Sequence, residues 1–172
     1  MKLVSVLVSV AALLGMARDE ENHEYKMWSG FKKGAWVKYK TVSEAAGFKT
    51  ELEQTITLAD LTAEKASIET IMVMSGNKLP AQKRDIPAKV KVEGQAKGDA
   101  PKPKEGDEEI EVGGQKVKCH WIETTTEAGG NKTVAKIWQS KDIPGGMAKM
   151  ESNTTGAATV KMNMSAVEWK KE

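Results

Sequence analysis

Along most of the chain, apolar and polar side chains alternate with a period of two. Val37, Tyr39 and Thr41 alternate with Lys38 and Lys40. Phe48, Leu52, Ile56 and Leu58 are in phase with one another and out of phase with Lys49, Glu51, Glu53, Thr55 and Thr57. Ala66, Ile68, Met72 and Met74 make a third stripe, and Val117, Cys119 and Trp121 a fourth, set against Lys116, Lys118 and His120. Val160, Met162, Met164 and Ala166 make a fifth, set against Lys161, Asn163 and Ser165. Successive side chains leave a strand on opposite faces, whereas a helix needs apolar residues three or four apart. The pattern commits the chain to half-buried strands.

Glycine punctuates those stripes. Gly-Gly pairs begin at Gly113, Gly129 and Gly145, 16 residues apart, and Gly34, Gly47, Asp60 and Gly76 mark the first half. Reversals this short join strands antiparallel, because parallel neighbours need a long crossover. The expected fold is mainly β: an antiparallel up-and-down meander of about seven to nine long strands with little helix. Long twisted strands of this kind curl, so a curved sheet or a half-barrel or barrel is expected. The best helical stretch is Ala59–Lys65, with Asp60 or Thr62 capping a loop as the alternative.

Some segments depart from the alternation. Residues 1–17 (MKLVSVLVSVAALLGMA) place one lysine before an uncharged apolar run and end in small residues, the pattern of a signal peptide cleaved before Arg18. Met16 and Arg18 flank that point where a lipid-anchored precursor has Cys, so export to the periplasm or the medium without a lipid anchor is expected. The chain has no other apolar run of about 18 residues, so no transmembrane segment is expected. Residues 18–172 then form a single β domain. Within it, 94–109 (GQAKGDAPKPKEGDEE) has no aliphatic residue larger than Ala and reads as a mobile loop. Leu79–Pro87, bounded by prolines, reads as a crossing at the sheet edge.

Chemistry is sparse. With 26 basic and 24 acidic residues, the charge does not suit nucleic-acid binding through a large basic excess. A single Cys excludes an intramolecular disulfide and a Cys₄ or Cys₂His₂ zinc site. Cys119 and His120 are adjacent and therefore point to opposite faces of a strand, so they make no thiolate–imidazole dyad. Glu108, Glu109 and Glu111 read as a solvated charge run. No nucleophile motif and no zinc-protease motif is present, so a non-enzymatic protein without cofactor, metal or catalytic residue is expected. Asn131, Asn153 and Asn163 each begin an N-x-S/T triplet, which has meaning only in a eukaryotic secretory context.

The remaining signals point to binding. Met72, Met74, Trp121, Met162 and Met164 are expected to line one curved, concave face. Trp36 and Trp138 fall out of phase with the apolar stripes of their strands and are expected at its rim. The partner implied is an apolar small molecule or a lipid, held by dispersion and burial. Alternatively a loop such as Tyr25–Phe31 or Leu79–Pro87 covers the two tryptophans. A second function class is an envelope structural or protein-interaction module. A third is periplasmic copper binding, since Met at i and i+2 lie side by side and thioethers suit Cu(I), although Met also simply fills cores.

The segment Trp138-Gln139-Ser140-Lys141-Asp142-Ile143-Pro144-Gly145-Gly146-Met147 resembles the W-x-S-x-x-(I/V)-P-G-G-x segment of uncharacterised secreted bacterial proteins, many of them planctomycete. Gly34-Ala35-Trp36-Val37-Lys38-Tyr39 resembles their opening strand, and Val117-Lys118-Cys119 another recurring piece. That family carries no established activity, so the resemblance implies export and a β-rich fold but no catalytic residue. The strand list is also similar to that of the lipoprotein-carrier half-barrels, which hold acyl chains on a curved sheet. Those carriers plug the sheet with helices, which this chain hardly offers.

Overall fold

The computed structural model describes residues 18–92, 102–156 and 159–171. The signal-peptide reading of 1–17 lies outside the described residues. The elements in chain order are β1 (Arg18–Glu21), α1 (His23–Ser29), β2 (Trp36–Ala45), β3 (Phe48–Leu61), β4 (Lys65–Met74), β5 (Asn77–Lys78), β6 (Gln82–Pro87), β7 (Lys89–Val92), β8 (Lys104–Val112), β9 (Gln115–Ala128), β10 (Asn131–Gln139), β11 (Met147–Thr155) and β12 (Val160–Lys170). No helix among the described residues is long and apolar enough to cross a membrane.

Ten strands make one antiparallel sheet in the order β5-β4-β3-β2-β12-β11-β10-β9-β8, with β6 also on β4; β1 and β7 pair separately. The sheet is the expected meander and does not close into a barrel. Besides β6 on β4, one non-sequential step sets β12 against β2, from Val160 opposite Ala45 to Lys170 opposite Trp36. That step puts strands from both halves of the chain in one sheet.

Four hairpins turn in two residues, at Ala46-Gly47, Ser75-Gly76, Gly113-Gly114 and Gly129-Gly130. All eight of these residues have positive φ, the type I′ geometry whose twist matches that of the flanking strands. Glycine thus marks the reversals at four of the expected places. Asp60 does not mark one: it lies inside β3, beside a bulge at Leu58/Asp60. The reversal follows at Thr62, whose Oγ1 accepts from the backbone N–H groups of Glu64 (3.3 Å) and Lys65 (3.1 Å). The expected helix at Ala59–Lys65 is therefore strand followed by a capped turn, and the helix is α1 instead.

The mobile-loop reading is corrected over its second part: 104–109 belong to β8, while 94–101 lie outside the described residues. This part of β8 is held by its ladder with β9 and carries exposed cross-strand ion pairs. Lys104 lies 3.0 Å from Glu123 and Glu109 lies 3.5 Å from Lys116. Acidic side chains along an edge also discourage pairing with another sheet. Leu79–Pro87 runs back along the outer edge of β4, with Leu79 N–H donating to the Met72 carbonyl (2.8 Å) and β6 paired to Lys65–Thr70. Its prolines fit that edge, where a missing N–H costs no ladder bond.

The register sorts the side chains into two faces. Val37, Tyr39, Leu58, Ala66, Ile68, Ile86 and Ala166 share one face and are buried there. α1 contributes Trp28 to the same cluster, and the connection from β10 to β11 contributes Ile143. In β8 to β10 the buried positions change face. Met164 opposes Met150, Met150 opposes Ile137, and Ile137 opposes Ile122, so the Val37 face continues through those residues. By register Val117, Cys119 and Trp138 leave their strands on the opposite face, yet they belong to the same buried cluster as Val37 and Trp28.

Candidate functional site

The structure divides the residues expected to line one ligand surface. Met72, Met74, Met162 and Met164 lie on the Val37 face: Met74 opposes Leu52, Leu52 opposes Thr41, and Thr41 opposes Met164. Trp36, Trp121 and Trp138 lie on the opposite face, where Trp121 and Trp138 are direct cross-strand partners. Trp138, expected at a rim, is buried, and Trp36 is half-buried on the opposite side of its strand from Val37. Trp121 does not group with the methionines, because apolar residues are buried on different faces in β9 and β12.

On the methionine side, Met150 joins the set by opposing Met164. The Met72/Met74 and Met162/Met164 pairs are separated by β3 and β2. Three inter-strand steps amount to about 14 Å, so the two pairs cannot share one ion. α1 packs near β4 and β6, at the Tyr39–Ile68 end of this face. Toward the other end, Met162 is half-buried, Met74 is 51% exposed and Phe48 is 78% exposed.

On the tryptophan side the side chains form a closed set. The Lys136 ammonium lies 4.1 Å from the Trp121 ring centroid and 4.5 Å from that of Trp138, and Lys149 lies 5.1 Å from Trp138. Glu108 accepts from Trp138 Nε1 and from Lys136 Nζ, the latter at 3.0 Å. The Trp138 hydrogen bond first, and then that of Lys136, hold the Glu108 carboxyl below the usual range. Trp121 lies flat on Gly106 of β8, where a Cβ would stand 3.0 Å from the ring. Sequence reading assigned Glu108 to a solvated run. Its role follows only once β8 is a strand, because the register then puts it on the same face as Trp121 and Trp138.

Lys136→Met keeps the methylene packing and removes the charge. It is expected to lower the unfolding free energy by about 1 kcal/mol, the scale of a partly desolvated cation–π contact. Glu108 adds a pH dependence. A depressed carboxylate stabilises the fold above its unfolded-state value, about 4.3, and loses that contribution as pH falls through the depressed one. The gap between wild type and variant therefore narrows in acid. Denaturant melts across that range check both statements.

A groove of 550 Å³ crosses β2, β12, β11, β10 and β9 on this same face, lined by Val42, Val134, Glu44, Glu151, Lys161 and Asn163 among others. Glu151 is paired with Lys149 at 2.7 Å. The lining mixes charged and amide groups with Val42, Val134 and Met162.

Cys119 and His120 sit on opposite faces. Cys119 is buried, and burial first, then the charges of Glu108 and Asp142, push its thiol up. His120 is exposed, with Nδ1 3.0 Å from Asp107 and Nε2 3.7 Å from Glu105. A protonated, buried thiol is a poor nucleophile. Among the described residues no three His, Cys, Asp or Glu side chains converge as metal ligands.

No family model matches the chain, and no curated protein matches it. Among solved structures it is similar to a LolA superfamily protein from Nitrosomonas europaea, with 10% sequence identity, 87% of this chain and 92% of that chain covered, and a TM-score of 0.28.

Proposed function

We propose that the chain is an exported, non-enzymatic binding protein that holds an apolar or amphipathic, lipid-like ligand on the methionine-bearing face. The supporting observation is the run Leu52, Met72, Met74, Met150, Met162 and Met164 on one face of adjacent strands, half-buried or exposed toward the end away from α1. Unbranched thioether side chains adapt to flexible alkyl chains of varied shape. The face carries no charge in that run. The apolar leader at 1–17 supports the exported setting.

The energetics give a specific test. A fully buried CH₂ contributes about 0.8 kcal/mol, and a chain lying on an open sheet buries about half of that per carbon. Each pair of carbons added to a soluble acyl ligand should then tighten binding about fourfold. Native mass spectrometry and calorimetry with a series of fatty acids measure the slope. Met162→Lys should flatten it, and Lys161→Met should not. Absence of bound mass throughout the series, or affinity independent of chain length, rejects the reading.

A further inference from the structure

The described surface exposes four large apolar side chains, and three of them, Phe48 (78% exposed), Met74 (51%) and Val160 (38%), gather at one end of the sheet. The register puts them on one face, with Met74 about 13 Å along the strands from Phe48. Val160 opposes Ala45, Ala45 opposes Phe48, and Met74 opposes Leu52, which lies four residues along β3 from Phe48. Phe48 directly follows the Ala46-Gly47 reversal, so its ring projects from a hairpin tip, where packing on the core does not account for it.

Counted to the level of Met74 and its partner Leu52, the described residues of 43–52, 73–79, 126–132 and 154–161 carry Lys49, Lys78, Lys132 and Lys161 against Glu44, Glu51 and Glu127. Lys49 and Lys161 immediately follow Phe48 and Val160. Among the described residues Lys78 and Lys161 have no carboxylate within 4.0 Å, whereas Lys49 is shared with Glu51 (3.3 Å) and Lys132 with Glu127 (3.6 Å). An apolar tip edged by ammonium groups on flexible stems matches the boundary between acyl chains and anionic headgroups.

We propose that this hairpin end docks on an anionic lipid surface, with Phe48 inserted at the acyl boundary, Val160 beside it and Met74 farther along the same face, and Lys49, Lys78 and Lys161 against lipid phosphates. One ring and three lysines give weak, reversible attachment. The docking end is continuous with the methionine-bearing face and shares Met74 with it, but Phe48, Val160 and the lysines belong to the docking end alone.

The test is co-sedimentation of the full chain with vesicles of phosphatidylcholine alone or mixed equally with phosphatidylglycerol. Binding to the mixed vesicles is expected at low salt, weakening as salt screens the lysines. Phe48→Ser should weaken the partition by about tenfold with unchanged thermal unfolding, since the ring is exposed. Lys49→Gln with Lys161→Gln should weaken it several-fold. The proposal is overturned by equal partition of wild type and Phe48→Ser, or by no preference for the anionic vesicles. A Phe48→Ser chain that still takes up soluble fatty acids separates the two readings: vesicle docking can then fail while ligand binding holds, and the reverse.

Discussion

Trp28→Ala is expected to lower the unfolding free energy by about 3–5 kcal/mol, the range for removing a buried Trp side chain. For a chain of this size that is a drop in melting temperature of about 10 °C. The ring is 2% exposed and is among the largest fully buried side chains. A Cβ on Gly145 would stand 2.8 Å from its Cζ2, so the connection from β10 to β11 is seated directly on the ring. The helix that carries it has seven residues, and an isolated helix shorter than about 12 residues is marginal in water. α1 is therefore held by what it touches. Asn22 caps it by accepting from Glu24 N–H at 3.0 Å, Tyr25 Oη donates to the Thr62 carbonyl at 2.7 Å, and Glu24 pairs with Arg84 of β6. Truncating Trp28 should release α1 and loosen Ile143 and Pro144 together. Thermal unfolding followed by circular dichroism reads the first effect, and amide hydrogen exchange over 23–29 and 140–146 reads the second. A melting temperature within about 2 °C of wild type would show that the ring does not fill the core.

Much of the architecture is visible in the residues themselves, for reasons that also explain what is not. The stripes at 37–41, 52–58, 66–74 and 160–166 give the strands because the period of two is local. Gly47, Gly76, Gly113 and Gly129 give hairpins because type I′ turns demand positive φ. The face that each stripe buries is not local. Bulges at Leu58/Asp60, Trp138/Gln139 and Ala166/Glu168 each shift the phase, and a shift of one residue exchanges the two faces. Trp121 lies across the sheet from the methionines with no bulge between them, because β9 buries the opposite parity of residues from β12. The first part of β8 is not legible because it has no apolar stripe, and its contacts, Glu108 on Lys136 and Trp138, lie 28 and 30 residues away in sequence. α1 is not legible because seven residues carry too little periodicity to read. The candidate site shares this split: its methionines are legible as stripes, while the lysine between two tryptophans exists only through the register of β9 and β10.

Gly113→Ala is expected to cost about 3 kcal/mol or more, and Gly114→Ala about 1–2 kcal/mol, although both residues belong to the same two-residue turn. Gly113 has φ +55 and Gly114 φ +72, so a Cβ meets the same left-handed penalty at each. Their surroundings differ. At Gly113 a Cβ would stand 2.5 Å from the Val167 carbonyl oxygen and 2.9 Å from Trp169 Cζ3, whereas at Gly114 nothing lies within 4 Å. The difference between the variants therefore isolates one contact, that of the β8–β9 hairpin end with β12. The clash is with backbone, so relief requires the hairpin to lift, which would uncover Val112, Val117 and Cys119 behind it. Denaturant unfolding gives the two losses. The reactivity of Cys119 toward a thiol reagent gives the accompanying opening: faster labelling in Gly113→Ala, unchanged in Gly114→Ala. Equal losses in the two variants, with Cys119 equally protected, would mean that the hairpin end does not rest on β12. The buried patch on the tryptophan side would then need some other cover.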